Sequence, residues 1–509
     1  MRRSRFRFLL LSLVVAFVMP AHAHVGSKDV FEQVTAGPYK LFVTIRMPSV
    51  IPGVATIEAR STGSPVDSLR ITPMPLTGEA SKHPPTPDVM KRSADDSAFF
   101  TGSVWMMAQG SWQVRFEVIG SAGAAEASVP VAAMPLTVLR MQRPLGLMLA
   151  LLGVVLVLGF AGIVGAAVRE SRLMPGDPPS PSRRRRAVMA MGGAFAFIVV
   201  AMLLGNKWWN VEAADYAAEV YRPLELRPTL NGNLLTLEMV NRIKPVKPGR
   251  ELPKPVTADS LLLDHGKVMH LYAIREPEMD AVFHLHPAAA PGRNLRLTLP
   301  TMPAGVYKLY GDVVLENGFP ETLTSTLTIP PGLSSAPLAT DDASAMPPPL
   351  SSGKLGPSYR LPDGYTMVWD RPADLSANTA TMFRFTLLDA AGKPAEDVQP
   401  YLGMAGHAAF VKTDGSVFAH THPDGSAAMP AMMLANGASA GDGTASGSAG
   451  FEAAMSGMPG MQMSGATSAF VSPVVEFPYG FPTAGRYRIF IQMKHGGVVE
   501  TGVFDADAR

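Results

Sequence analysis

The sequence predicts a mainly β fold: three Ig-like or cupredoxin-like β-sandwich domains, with a two-helix transmembrane hairpin after the first. Three observations support this prediction. The 509 residues include 47 Gly and 46 Pro, a content that interrupts helices and favours short strands joined by turns. Apolar and polar residues alternate with a period of two in several runs. Two uncharged runs of bilayer length lie in the first half of the chain.

The composition excludes several classes of protein. The 44 basic and 42 acidic residues leave a formal charge of +2, which gives no electrostatic reason to expect nucleic acid as a partner. Cysteine is absent, so disulfides, thiolate metal sites, iron–sulfur clusters and cysteine nucleophiles are all excluded. The side chains that remain to bind transition metals are those of 11 His and 30 Met.

The amino terminus predicts a secretory signal peptide over residues 1–23. A basic start precedes an apolar core and an Ala21-His22-Ala23 cleavage site. Cleavage there would make His24 the first residue of the mature chain. Residues 24–138 then form the first periplasmic part, and alternating runs such as that at residues 41–46 indicate a β-sandwich.

Two membrane spans are predicted, at residues 144–168 and 187–205. The segment between them, residues 169–186, carries six arginines, four of them consecutive. The positive-inside rule assigns this Arg-rich loop to the cytoplasm, so both large flanking regions face outward. Together with a secretory signal, this topology predicts a two-pass protein of the bacterial inner membrane with two periplasmic regions.

The region after the second span divides into two β-rich blocks that resemble each other. The first block covers residues 221–330 and the second covers residues 361–504, with a Pro/Ser/Ala-rich linker at residues 331–354. In each block a lone His is followed by a His-x-His-Pro sequence and later by an Ala-Gly-x-Tyr sequence. The shared order of three elements predicts an internal repeat.

These motifs place three candidate metal ligands in each repeat. The first triplet is His270, His284 and His286, and the second triplet is His407, His420 and His422. Three imidazoles suit Cu(II), Zn(II) or Ni(II), and copper is highest in the affinity order. The alternative is that these histidines are half-buried strand residues that only form hydrogen bonds.

Hairpin register brings each triplet onto one face of its sheet. In the second repeat an Asp414-Gly415 turn pairs His407 with His422 and leaves His420 on the same face. In the first repeat a loop of odd length would place the lone His opposite one of the two histidines of His-x-His. Cross-strand neighbours are about 5 Å apart, so each triplet is expected to bind one ion.

Methionines and the amino terminus offer further ligands. A Gly/Ala/Ser-rich insertion at residues 424–468 carries a run of four closely spaced thioethers, at Met455, Met458, Met461 and Met463. Thioethers prefer Cu(I) to Zn(II), although the methionine content of such an insertion can be incidental. His24 could chelate an ion through its free amine and its imidazole. His265 and His495 fall in loops or strand ends, and the sequence gives no reason to assign them a role.

Short sequences also indicate known families. Ala36-Gly-Pro-Tyr-Lys-Leu, Gly102-Ser-Val-Trp and Gly110-Ser-Trp-Gln-Val make the first periplasmic part similar to the YtkA-like and FixH-like domains. This resemblance implies copper delivery and respiratory oxidase assembly. The two repeats resemble a periplasmic domain of bacterial membrane proteins with poorly defined function, through Asp264-His-Gly-Lys-Val-Met-His and His-x-His-Pro. The order of β-domain, two spans and β-domain is similar to the B subunit of particulate methane monooxygenase, whose His-x-His the first part lacks.

The sequence therefore favours a membrane-anchored periplasmic copper-binding protein that captures copper, delivers it or confers tolerance. Cu(II) would bind at the histidines and Cu(I) at the methionines, with zinc as the alternative metal. A protein partner, such as an oxidase under assembly or an efflux pump, would receive the ion. Without a nucleophile elbow, phosphate loop or HExxH helix, the chain is not expected to be an enzyme. The alternatives are an interaction or assembly module without metal, and a copper oxidoreductase subunit.

Overall fold

The structure is a computed structural model that describes residues 29–174, 176–241, 255–333, 336–437 and 470–509. Strands predominate, and within these ranges they form six antiparallel sheets, which confirms the mainly β prediction. The chain divides into two compact units: the six sheets belong to one, and two long helices belong to the other.

The first two sheets share one hydrophobic core and form a sandwich-like pair. Sheet A has the strand order β1-β2-β3-β7-β6 and sheet B the order β5-β4-β8-β9. The alternation predicted at residues 41–46 is present, because Leu41, Val43 and Ile45 are all buried in the core. The strands are β1 (Val30–Ala36), β2 (Tyr39–Arg46), β3 (Gly53–Ser61), β4 (Ser68–Pro75), β5 (Asp88–Val89), β6 (Lys91–Arg92), β7 (Phe99–Met106), β8 (Gly110–Gly120) and β9 (Gly123–Ala133).

Two long apolar helices follow, α1 (Arg143–Glu170) and α2 (Pro181–Ala218). By length and composition each could cross a membrane, with a mean hydropathy of 2.8 and 2.5 in its most apolar stretch. Both helices extend beyond the predicted spans, and the four consecutive arginines lie in the first turns of α2 instead of in a loop. Pro181 is favoured at the first helical position and Arg is a good helix former, which explains this earlier start.

Sheets C and D form a second sandwich-like pair around a core of their own. Sheet C has the order β10-β11-β16-β15, and sheet D has the order β12-β17-β13-β14-β19 with β18 paired to β17. The strands are β10 (Glu225–Asn231), β11 (Leu234–Val240), β12 (Leu261–Leu262), β13 (His270–Glu276), β14 (Val282–Leu285), β15 (Ala288–Ala289), β16 (Asn294–Thr298), β17 (Gly305–Leu315), β18 (Pro320–Ile329) and β19 (Ala343–Ala345).

Sheets E and F form the third pair, again around a separate core. Sheet E has the order β20-β21-β22-β26, and sheet F has the order β23-β27-β24-β25 with β28 paired to β27. The elements are β20 (Ser358–Arg360), β21 (Thr366–Asp370), β22 (Thr381–Leu388), β23 (Val398–Gln399), β24 (His407–Lys412), β25 (Phe418–Thr421), the short helix α3 (Met429–Ala435), β26 (Val474–Tyr479), β27 (Gly485–His495) and β28 (Val498–Ala508).

Sheets D and F have the same core topology. The order β18-β17-β13-β14 in sheet D matches the order β28-β27-β24-β25 in sheet F. In both sheets the His-bearing hairpin lies beside the long strand that carries the Gly-x-Tyr sequence. This agreement is what the predicted internal repeat requires.

The two His-bearing sheets pack face to face. Tyr272 and Val282 of sheet D share an apolar cluster with Val411 and Phe418 of sheet F. The ring of Tyr310 stacks on that of Phe418, with 4.4 Å between centroids. Since the histidines lie on the same faces of the same hairpins, this packing brings the two triplets together.

The predicted linker at residues 331–354 does not run free of the sheets, contrary to expectation. Its residues 343–345 form β19, which pairs with β14 and sets Ala343 opposite His284. A strand added at a sheet edge is held by backbone hydrogen bonds, so it needs few apolar side chains. The low apolar content of this segment was therefore a poor guide to its packing.

Candidate metal centre

The His-bearing hairpins have the registers that the sequence predicts. In the second hairpin Ala409 pairs with His420, so the Asp414-Gly415 turn determines the register as expected. In the first hairpin the register places His270 opposite His286, one of its two predicted partners. Each triplet therefore lies on one face of its own sheet.

Packing of sheet D on sheet F merges the two triplets into a single cluster. Imidazole rings from different repeats are nearly as close as rings from the same hairpin: the centroids of His270 and His420 are 5.0 Å apart, and those of His284 and His286 are 4.5 Å apart. Two groups can each offer three nitrogens that lie within 4.8 Å of one another. Triad I is His270, His284 and His420, and triad II is His265, His407 and His422.

This grouping differs from the expectation of one ion in each repeat. Each triad takes histidines from both repeats, and His286 belongs to neither triad although its ring lies 5.0 Å from that of His270. The difference arises because ligand sets depend on how sheets D and F face each other. Hairpin register fixes neighbours within a sheet and carries no information on that packing.

His265 is a triad member to which the sequence assigned no role. It lies in a tight turn bridged by Asp264 and Lys267, with a positive φ of 51°, a conformation in which His is enriched among non-Gly residues. Its Nδ1–H donates to the carbonyl oxygen of Leu402 at 3.1 Å, which directs Nε2 toward the cluster. The Asp264-His265-Gly266 sequence was the available signal, although it predicts a turn and not a ligand.

In triad I, two ring nitrogens from the same hairpin lie close to each other. Nε2–H of His270 donates to the carbonyl oxygen of Asp264 at 3.1 Å. Nδ1 of His284 lies 2.7 Å from Oε1 of Gln492, an oxygen that accepts from the Tyr272 hydroxyl, and 3.2 Å from the Tyr401 hydroxyl. The other two ring nitrogens, His270 Nδ1 and His284 Nε2, are 3.1 Å apart.

That spacing suits two ligands of one metal ion. Two nitrogens at about 2.0 Å from a tetrahedral ion are about 3.3 Å apart. Burial lowers the pKa of His270 to about 3 and the pKa of His284 well below its usual value. Each ring is therefore neutral at neutral pH. Nitrogens of two neutral imidazoles at this spacing can bind one cation.

Carboxylates orient two more of the imidazoles. Nδ1 of His286 lies 2.9 Å from Oδ1 of Asp342, and Nδ1 of His420 lies 3.4 Å from Oδ2 of Asp312. In both rings Nε2 is buried and has no hydrogen-bond partner among the described residues. A carboxylate on one nitrogen and an open second nitrogen is the usual arrangement around histidine ligands of metals.

His407 is the most unusual residue of triad II. It is fully buried, and neither of its ring nitrogens has a hydrogen-bond partner within the part of the chain that the structure describes. Nε2 of His422, also in triad II, is buried and likewise lacks a hydrogen-bond partner among the described residues. Each buried polar atom left without a partner costs roughly 1–3 kcal/mol. An ion bound by both residues would remove this cost for one nitrogen of each.

Burial favours the neutral form of six histidines in the cluster. It lowers the pKa of each of six histidines, to about 3 for two of them and well below the usual value for the other four, and the neighbouring imidazoles add to the effect in each case. The two are His265 and His270, and the four are His284, His286, His407 and His422. Neutral imidazole is the form that binds metals.

An acidic cavity reaches the cluster. It has a volume of about 120 Å³, and its lining includes His420 and His422. Four carboxylates also line it, those of Asp29, Asp264, Asp312 and Glu321, and none of the described lining residues is Lys or Arg. Such a lining attracts cations. The cavity therefore offers an ion a route to both triads.

The other candidate ligands are either outside the described residues or lie away from this cluster. His24 and the methionine run Met455, Met458, Met461 and Met463 lie outside the described residues. Met269 and Met279, which neighbour the histidines in sequence, pack into apolar cores. His83 is on the surface beside Glu79, and His495 is held by Asp363 and stacks on Tyr365.

Comparisons with known proteins leave the function open. Residues 360–509, which include the second repeat, match the family model described as Domain of unknown function (DUF8832). No curated protein matches the chain.

Solved structures that are similar to the chain share very little sequence with it. They include a bacterial ice-binding adhesin at 7% identity, covering 92% of this chain and 97% of that one, with a TM-score of 0.13. A membrane anchored protein from Corynebacterium diphtheriae is 9% identical, with 94% and 96% covered and a TM-score of 0.15. Escherichia coli alpha-2-macroglobulin is 8% identical, with 92% and 30% covered and a TM-score of 0.17. At these scores the similarity carries no functional argument.

Proposed function

We propose that this protein is a membrane-anchored, periplasmic copper-binding protein, which holds copper between sheets D and F for capture, delivery or tolerance. One observation carries the proposal: histidines from the two repeats form two groups, each offering three nitrogens that lie within 4.8 Å of one another.

The choice of copper rests on ligand chemistry. Imidazole binds Cu(II) more strongly than Zn(II), and zinc remains the alternative metal. The chain has no Cys to compete for the ion. In the proposal, Met455, Met458, Met461 and Met463 supply Cu(I) ligands, as thioethers prefer the softer ion. The acidic cavity supports a route for cations to the buried nitrogens.

The location follows from the two apolar helices. In the proposal α1 and α2 cross the bacterial inner membrane, and the arginines at the start of α2 stay in the cytoplasm. Both sheet-bearing regions would then be periplasmic, as Ig-like or cupredoxin-like domains. The resemblance of residues 24–138 to YtkA-like and FixH-like domains, which is still a prediction, suggests an oxidase under assembly as the partner that receives copper.

The proposal is tested by metal analysis of the full chain in detergent. After dialysis against Cu(II) or Zn(II), we expect copper to be retained and to displace zinc. A His284→Ala/His407→Ala variant, with one ligand removed from each triad, should lose the copper. A His83→Ala/His495→Ala variant changes two histidines outside the cluster and should keep it.

Two results would contradict copper binding at this cluster. One is wild-type protein that is folded by circular dichroism and holds no metal above background. The other is equal copper in the wild type and in the folded His284→Ala/His407→Ala variant. That second result would indicate that copper binds at the methionines or at His24. Loading with Cu(II) under air keeps thioether binding of Cu(I) out of the measurement.

A further inference from the structure

We propose that triads I and II together form one dinuclear centre, in which two copper ions are close enough to interact magnetically. This inference rests on the proposed copper binding. It adds that each chain binds two copper ions and that the two ions interact. Each triad supplies three imidazoles of its own, so the two ions do not compete for ligands.

The two triads adjoin each other without an intervening layer. Within the triads, ring centroids are 4.6–5.5 Å apart. Between the triads the distances overlap this range: the ring of His420 lies 4.8 Å from that of His422 and 5.4 Å from that of His407. Ions bound at the two triads are therefore separated by about one imidazole ring.

His407 lies in the middle of the cluster. Its ring centroid is 5.0 Å from that of His422 in its own triad, and 6.1 Å and 6.3 Å from those of His270 and His284 in triad I. Both of its nitrogens are buried without a partner among the described residues, although one metal bond would occupy only one of them. Its ring adjoins members of both triads, so two bound ions would interact across it.

The surroundings carry the negative charge that two adjacent cations need. Asp264 contacts both triads: its carbonyl oxygen accepts from His270, and its carboxylate lies 3.7 Å from Nε2 of His265. Asp312 and Asp342 contact His420 and His286 on the outer side of the cluster. These three carboxylates offset most of the charge of two Cu(II) ions, and a small anion could complete the centre.

Electron paramagnetic resonance of the full chain in detergent tests the dinuclear centre. Cu(II) is added stepwise, and both bound copper and the double-integrated signal are measured. We expect saturation at two ions per chain. As the second ion binds, the signal per copper should fall by about half or more, or a half-field transition should appear. The His265→Ala variant, which keeps triad I intact, should hold one ion with full signal and no half-field transition.

The outcomes separate this inference from the proposed function. Two ions with full, uncoupled signals, or saturation at one ion, would overturn the dinuclear centre and leave copper binding standing. Absence of bound copper would overturn both. If His265→Ala does not fold, His422→Asn offers the same test, since it also removes one ligand from triad II only.

Discussion

The His265→Ala variant is expected to bind one copper ion per chain where the wild type binds two. His265 is one of three imidazoles in triad II, and its Nδ1–H is fixed by Leu402 so that Nε2 is the ligand atom. Altering a residue that merely orients a ligand typically weakens binding 10–100-fold, so loss of a ligand should cost roughly 100-fold or more. Copper analysis after dialysis, with competition titration for the remaining ion, measures the effect.

His495→Ala is the matched control for this variant. His495 is equally buried and makes polar contacts with Asp363 and Asp397, but its ring is not part of the cluster. Its replacement should leave two ions bound. Two ions in His265→Ala, with unchanged affinity, would show that triad II is not a metal site.

The metal-free protein is expected to lose stability steeply as the pH falls below about 6.5. Six cluster histidines have folded-state pKa values below the unfolded value of 6.5, about 3 for His265 and His270. The unfolded chain therefore binds more protons than the folded protein between pH 6.5 and about 3. The stability is fully present above pH 6.5 and is lost through this window, by up to about 1.4 kcal/mol per pH unit for each such histidine.

Chemical unfolding between pH 7.5 and 5 measures this slope, with His407→Leu as the comparison. Replacing His407 with leucine removes a histidine whose pKa is lowered and two buried nitrogens that lack a partner among the described residues. The variant should therefore be more stable than the metal-free wild type, and the difference should grow as the pH falls. Buried acids with raised pKa values, such as Glu32 and Asp264, act in the opposite direction but cancel in the difference. A His407→Leu variant that is less stable than metal-free wild type, or whose advantage does not grow as the pH falls, would contradict a neutral, buried His407.

Much of the fold was predictable because its signals are local. Alternation over residues 41–46 identified a strand whose apolar side chains are buried, and the Asp414-Gly415 turn gave the register of its hairpin. Two apolar runs identified the long helices. Helix α2 begins earlier than predicted because hydropathy marks where a span is apolar and not where the helix starts.

The ligands were partly predictable, but their grouping was not. The six histidines of the two triplets all lie in the cluster. The sequence could indicate them because the lone His and the His-x-His-Pro sequence of each repeat belong to one hairpin. The composition of the triads depends on the packing of sheet D on sheet F, which joins residues more than 130 positions apart, such as His284 and His420. His265 was missed because it is a turn residue, and the role of Asp342 was missed because its segment has the composition of a linker.

A crystal structure of the copper-loaded protein, with anomalous scattering recorded at the copper edge, tests the central claim most directly. The account predicts two peaks between sheets D and F, each about 2.0 Å from three imidazole nitrogens. One peak lies among His270, His284 and His420, and the other lies among His265, His407 and His422. A cluster without copper, with any peaks located elsewhere on the chain, would contradict it.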